Sequence, residues 1–171
     1  MTDVREAYFS SEWEWACCGG PLRVGELVEL RVQEDSEYAR SMRVELADVL
    51  SATLTGVETH HEDNDEAGIQ VRNGRVTALH AVIEDMRWSV EPRTTPDPPA
   101  RHLGEGMYAI AGNIAPGQAS GKSIASTSRI LPISVVPDPS AAPGDAEPDL
   151  ARFGEQIRPH LAGYIITIDA S

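Results

Sequence analysis

Lysine occurs once in this chain, at Lys122, and nowhere do basic residues form a run. Fourteen basic side chains stand against 27 acidic ones, for a net charge of −13. A surface of that sign repels phosphate backbones and anionic lipid headgroups at long range, so neither nucleic acid nor membrane is expected as a partner. Cysteine is almost as scarce: Cys17 and Cys18 are the only two, and they are adjacent. Neighbouring cysteines close only a strained ring, so a disulfide framework is excluded. No apolar run approaches the roughly 20 residues that a helix needs to span a bilayer. Met1–Glu6 carries neither a basic n-region nor an apolar h-region, which makes the cytoplasm the expected compartment.

What is present is ordinary globular composition. Apolar residues make up 41% and charged residues 24% of 171 residues, enough for one core, so the expectation is a single domain over residues 1–171. The 12 prolines are uneven. Pro92, Pro96, Pro98 and Pro99 mark an irregular connection over residues 91–105, and a second Pro-rich connection covers residues 137–148.

Between these connections the periodicity is mostly that of strands. Trp13, Trp15 and Cys17 alternate with Glu12, Glu14 and Ala16, the period-2 pattern of a half-buried strand. After the turn Gly19-Gly20-Pro21, Val28, Leu30 and Val32 repeat that alternation. From Ser36 to Leu50 the period becomes helical: Tyr38, Ala39, Met42, Leu46, Val49 and Leu50 share one face, and the Ser36 hydroxyl suits an N-cap. Residues 53–61 read as a strand and 62–66 as an acidic loop. Asn73-Gly74 signals a tight hairpin turn into a long strand over 75–90, bent near Glu84-Asp85 so that it serves two sheet regions. Residues 106–114 and 129–136 are further strands, separated by a small-residue loop over 115–128. A short helix over 149–157 and a closing strand over 163–168 complete the chain.

Short strands, tight turns and one helix imply a mainly β fold. Residues Pro21–Val28 look like the opening of an SH3-like small β-barrel, and Gly74–Leu79 like a middle strand of one. Closure would remove exposed sheet edges. The expected architecture is therefore an SH3-like barrel with one inserted α-helix and a Pro-rich C-terminal extension that returns as a final strand.

The segment Trp13-Glu14-Trp15-Ala16-Cys17-Cys18-Gly19-Gly20-Pro21-Leu22-Arg23-Val24-Gly25 resembles the start of an uncharacterised actinobacterial family known only as a domain of unknown function. His60-His61, Gly74–Ala78 and the terminal Gly163-Tyr164-Ile165-Ile166 are similar to later parts of such proteins. The resemblance implies a shared fold and brings no activity, substrate or catalytic residue.

Cys17, Cys18, His60 and His61 are the candidate metal ligands. Thiolate sulfur and imidazole nitrogen are what Zn²⁺ prefers in a tetrahedral site. Against this, neighbouring strand residues point to opposite faces, and the spacing is neither Cys-x₂-Cys nor His-x₃-His. The alternative identity is two thiols and two ordinary histidines at strand ends. A Cys–His nucleophilic pair is disfavoured by Glu12, Glu14 and Glu26, whose charge opposes thiolate formation. Pro116–Ser123 misses a phosphate-binding loop because Pro116 stands where glycine is needed, and no periodic helix follows. Residues 62–66 lack the glycine and terminal glutamate of a calcium loop. Trp13 and Trp15 read as core or as a ligand platform.

With no catalytic set legible, the leading expectation is a non-catalytic binding or interaction protein with a protein partner. A zinc-binding protein or metal-dependent enzyme using the Cys/His cluster is the alternative. An acidic DNA-mimic inhibitor is a third reading, although the charge is modest for one.

Overall fold

The computed structural model describes residues 5–50, 53–60, 68–92, 101–104, 107–109, 117–139 and 148–170. Over those residues the protein is mainly β, as its sequence pattern predicts, with two helices rather than one.

Strand β1 (Arg5–Ser11) lies before the first expected element. Ala7, Tyr8, Phe9 and Ser10 are all buried, so both faces of the strand are covered and its sequence does not alternate. Next comes α1, Glu12–Cys18, where the alternation predicted a strand. The Ser11 hydroxyl accepts the Glu14 N–H at 3.2 Å, capping the helix, and Glu12 and Glu14 put negative charge in its first turn. Over seven residues, period 2 and period 3.6 are hard to tell apart. The helix sends Trp15 inward at 6% exposure and leaves Trp13 62% exposed.

Strands β2 (Leu22–Arg23) and β3 (Leu27–Gln33) follow, then α2 (Glu37–Leu46). The Ser36 hydroxyl accepts the Ala39 N–H at 3.0 Å, the predicted N-cap. Ala39, Met42 and Leu46 are buried, whereas Tyr38, at 48% exposure, lies at the edge of the apolar face. Among the described residues of the predicted 53–61 strand, Gly56–Glu58 is β4.

Strand β5 runs without interruption for 24 residues, Ile69–Pro92. The Asn73-Gly74 turn is therefore absent: Asn73 pairs with Glu29 and Gly74 with Val28 on β3. Glycine serves close approach here. A Cβ at residue 74 would stand 2.6 Å from the Asp169 carbonyl and 3.1 Å from the Ile168 side chain. As predicted, β5 serves two regions. One edge pairs with β11 (Gly154–Ala170) from Gly74 to Val90; the other carries β3, then β9 (Arg129–Ile133), then β8 (Gly117–Ser123). The β11 register shifts at Leu161/Gly163 and again at Thr167/Ile168, irregularities of the kind that bend a strand.

Residues 117–123, read as loop, form β8, which is held in register along β5. Within the 91–105 connection, Arg101–Gly104 is β6, paired with β7 (Met107–Ala109). The helix expected over 149–157 is a turn followed by the start of β11. Gly154 has a φ of 104°, and the Gln156 amide donates to the carbonyls of Asp149 and Arg152. The acidic loop 62–66 lies outside the described residues, as do residues 140–147 of the second Pro-rich connection.

Hydrogen bonds close a ring in the order β11–β1–β4–β3–β5 and back to β11. Two clusters of apolar side chains lie on its two faces. One contains Tyr8, Leu30, Val32, Val76, Leu79, Ile166 and Ile168, joined by Trp15 and by Leu22 and Val136 of the small β2–β10 sheet (β10, Val135–Val136). The other packs Ala39, Met42 and Leu46 of α2 against Phe9, Val57, Val82 and Ile165. Each fully buried large side chain contributes about 1.5–3 kcal/mol. Strands buried on both faces account for the near-continuous apolar run of the closing segment. No helix among the described residues is long and apolar enough to cross a membrane.

Candidate functional site

Helix α1 is pinned by Trp15. Its indole N–H donates to the Pro137 carbonyl at 3.1 Å, and its ring meets Tyr164 edge-on at 5.7 Å. Gly19 ends the helix, its N–H bonding to the Trp15 carbonyl at 2.9 Å. A Cβ at residue 19 would press into the Trp15 ring and carbonyl, so only glycine lets the chain leave over the indole.

That anchoring aims Glu14 at the end of β4. The Glu14 carboxylate accepts the His60 backbone N–H at 3.0 Å and the Thr59 hydroxyl at 3.4 Å. Beneath it, the Glu58 carboxylate is buried, with Oε1 3.3 Å from His60 Nε2. That contact has ion-pair distance without hydrogen-bond alignment, and Glu58 Oε2 has no hydrogen-bond partner among the described residues. Ser10, fully buried, follows Phe9 in β1 as Glu58 follows its pair Val57 in β4, and its hydroxyl is likewise unpartnered among them. Glu58 raises the His60 pKa above the ordinary imidazole value. Partial burial opposes this, while Glu14 adds to it and Arg31 subtracts.

Of the predicted ligands, the helix brings Cys17 and Cys18 together: both are exposed, with sulfurs 3.3 Å apart. His60 is tied to the same helix through Glu14. His61 lies outside the described residues. Among the described residues, no three His, Cys, Asp or Glu side chains are grouped to hold a metal ion. The Cys18 thiol is raised above its ordinary pKa, first by its contact with Cys17 and also by the charge of Glu14.

A second polar set is structural in character. The Tyr8 hydroxyl donates to Glu6 at 2.8 Å, while Arg72 donates to Glu34 at 2.6 Å and approaches Glu6 at 3.9 Å. Burial, then the Glu6 carboxylate, push the Tyr8 phenol far above its ordinary pKa. A phenol so held stays neutral and serves as a donor.

A groove of about 470 Å³ opens beside α2. Val44 and Glu45 of α2, with Asp48 and Val49 just past it, form one wall; Ser123 at the end of β8 and Ala125, Ser126 and Ser128, between β8 and β9, form the other. The second wall is tied down. The Ser123 hydroxyl donates to the buried Glu84 at 2.6 Å, and Thr127 accepts the Asp85 N–H at 3.0 Å and donates to the Ile124 carbonyl at 2.7 Å. Ser126 takes a φ of 63°, a left-handed conformation uncommon for serine. Among the described residues both charged members of the lining are carboxylates, and Val44, on the α2 wall, is 79% exposed. Nothing in the sequence flagged Glu45 or Asp48, because on a helix surface they read as solvated charge. Glu58 was equally silent, since its burial depends on β4 lying between two other strands.

A family model described as a family of unknown function, DUF6578, matches residues 6–170. No curated protein and no solved structure matches the chain.

Proposed function

We take as premise that the chain belongs to DUF6578, a family of unknown function, and propose from its own residues a non-catalytic binding protein for a basic protein segment. The observation that carries this is the groove between α2 and the Ser123–Ser128 wall, whose charged lining among the described residues is Glu45 and Asp48. An Arg or Lys side chain fits it in both parts: its aliphatic stem lies along Val44 and Val49, and its cationic head meets the carboxylates. A net charge of −13 steers such a partner inward. The tied wall supplies a preformed surface, which lowers the ordering cost of binding. As scaffold, the closed ring of strands supports our reading of an SH3-like small barrel, its interior filled by side chains.

The test is an array of Arg- and Lys-bearing peptides against acidic and neutral controls, with a Glu45→Lys/Asp48→Lys double variant. Binding of basic peptides should weaken by about tenfold or more in the variant and fall with added salt. Equal binding by both proteins, or a measured catalytic turnover, would overturn the proposal.

A zinc protein using Cys17, Cys18, His60 and His61 is the second reading. It is supported by Glu14, which fastens the His60 backbone to the helix that carries both cysteines. Elemental analysis of protein purified without chelator decides it, metal far below one equivalent counting against it.

A further inference from the structure

Free cysteine is among the most buried of residue types, and where it is not packed its reactivity decides its use. Both cysteines of this chain are exposed, at the solvent side of a helix whose inward contact is Trp15. Packing therefore does not explain them. Neighbouring residues on a helix diverge by about 100° around the axis, so their side chains ordinarily part. Here the two sulfurs converge to 3.3 Å. Two sulfurs on one tetrahedral zinc, each at about 2.3 Å, stand about 3.8 Å apart, so a small rotamer change reaches that spacing. A pyramidal trivalent centre, with narrower bond angles, holds its sulfurs closer still.

We infer that Cys17 and Cys18 form a surface dithiol site for a thiophilic cation, held open by the Trp15 anchor and the Gly19 helix end. It goes beyond both readings above, because it needs neither histidine nor the α2 groove. The electrostatics suit it. Glu14, one turn back on the helix, works against a free thiolate and so keeps the pair from acting as a nucleophile. The same negative charge favours a cation, which displaces both thiol protons as it binds. No basic side chain lies in the last turn of the helix to compete.

Two probes are used: phenylarsine oxide, a neutral trivalent arsenical that reports the convergence of the two sulfurs, and Cd²⁺, a thiophilic cation. Two As–S bonds form, the As–O bond breaks, and both thiol protons leave with that oxygen as water; arsenic and sulfur keep their oxidation states. The intact chain should take up one equivalent and lose both titratable thiols. Cys17→Ser and Cys18→Ser, exposed positions that leave the fold unchanged by circular dichroism, should each bind about 100-fold more weakly, since each loses the chelate effect. His60→Asn should bind as the wild type does. A Cd²⁺ titration read by thiolate-to-metal absorption should follow the same order. Uptake through one thiol only, single variants as tight as the wild type, or loss of binding in His60→Asn would overturn the inference. None of these results bears on the peptide array, so the two proposals fail separately.

Discussion

Trp13 and Trp15 separate the helix from the strand that their spacing suggests. On a strand both indoles would share one face and one fate; on α1 they part, Trp15 at 6% exposure and Trp13 at 62%. Trp15→Ala removes a buried indole, its hydrogen bond to Pro137 and its edge-on contact with Tyr164. A buried Trp→Ala change costs about 3–5 kcal/mol, the aromatic pair accounting for about 0.5–1.5 of it. In a chain of this size each kcal/mol moves Tm by about 2–4 °C, so a fall of about 6–20 °C is expected. Trp13→Ala should cost less than about 1 kcal/mol. Thermal and urea unfolding of the two variants measure the difference, with unchanged m-values in urea showing that the unfolded reference is shared. Equal losses would restore the strand and remove the anchoring argument for Glu14, Cys17 and Cys18.

Two more outcomes follow from the same structure. His60 has a raised pKa in the folded protein, so its contribution to stability is complete below its unfolded value of about 6.5 and is lost as pH rises through the folded value. Stability measured across that range should therefore fall with rising pH, and His60→Asn should flatten the slope; a slope unchanged in the variant would place the titration elsewhere. Gly74→Ala forces a Cβ against the Asp169 carbonyl and should cost about 1–3 kcal/mol, with faster amide exchange where β5 meets β11. Undiminished stability would mean that β5 and β11 are not packed that closely there.

Several elements were legible because their causes are local. Ser36 caps α2 through its own hydroxyl three residues ahead, and the apolar spacing of Ala39, Met42 and Leu46 already describes the buried face. Val28, Leu30 and Val32 alternate because one face of β3 is covered, and they read as a strand without further knowledge. The adjacent cysteines were visible as a pair. That their sulfurs converge and stay in solvent was not, because it depends on where Trp15 finds its pocket.

A mainly β chain, the N-capped helix α2 and a strong excess of acidic residues could be read from neighbouring residues, since alternation, capping and charge are local properties. Long-range packing set the rest: Asn73-Gly74 lies inside a 24-residue strand, residues 117–123 are a strand, and Glu58 and Ser10 are buried. In each case the deciding partner is distant in sequence. Two flanking strands hold Gly74 extended against its turn preference, β5 supplies the ladder for β8, and β1 and β3 enclose Glu58. Local preference amounts to about 1 kcal/mol or less per residue, and the hydrogen bonds and burial of a closed ring outweigh it.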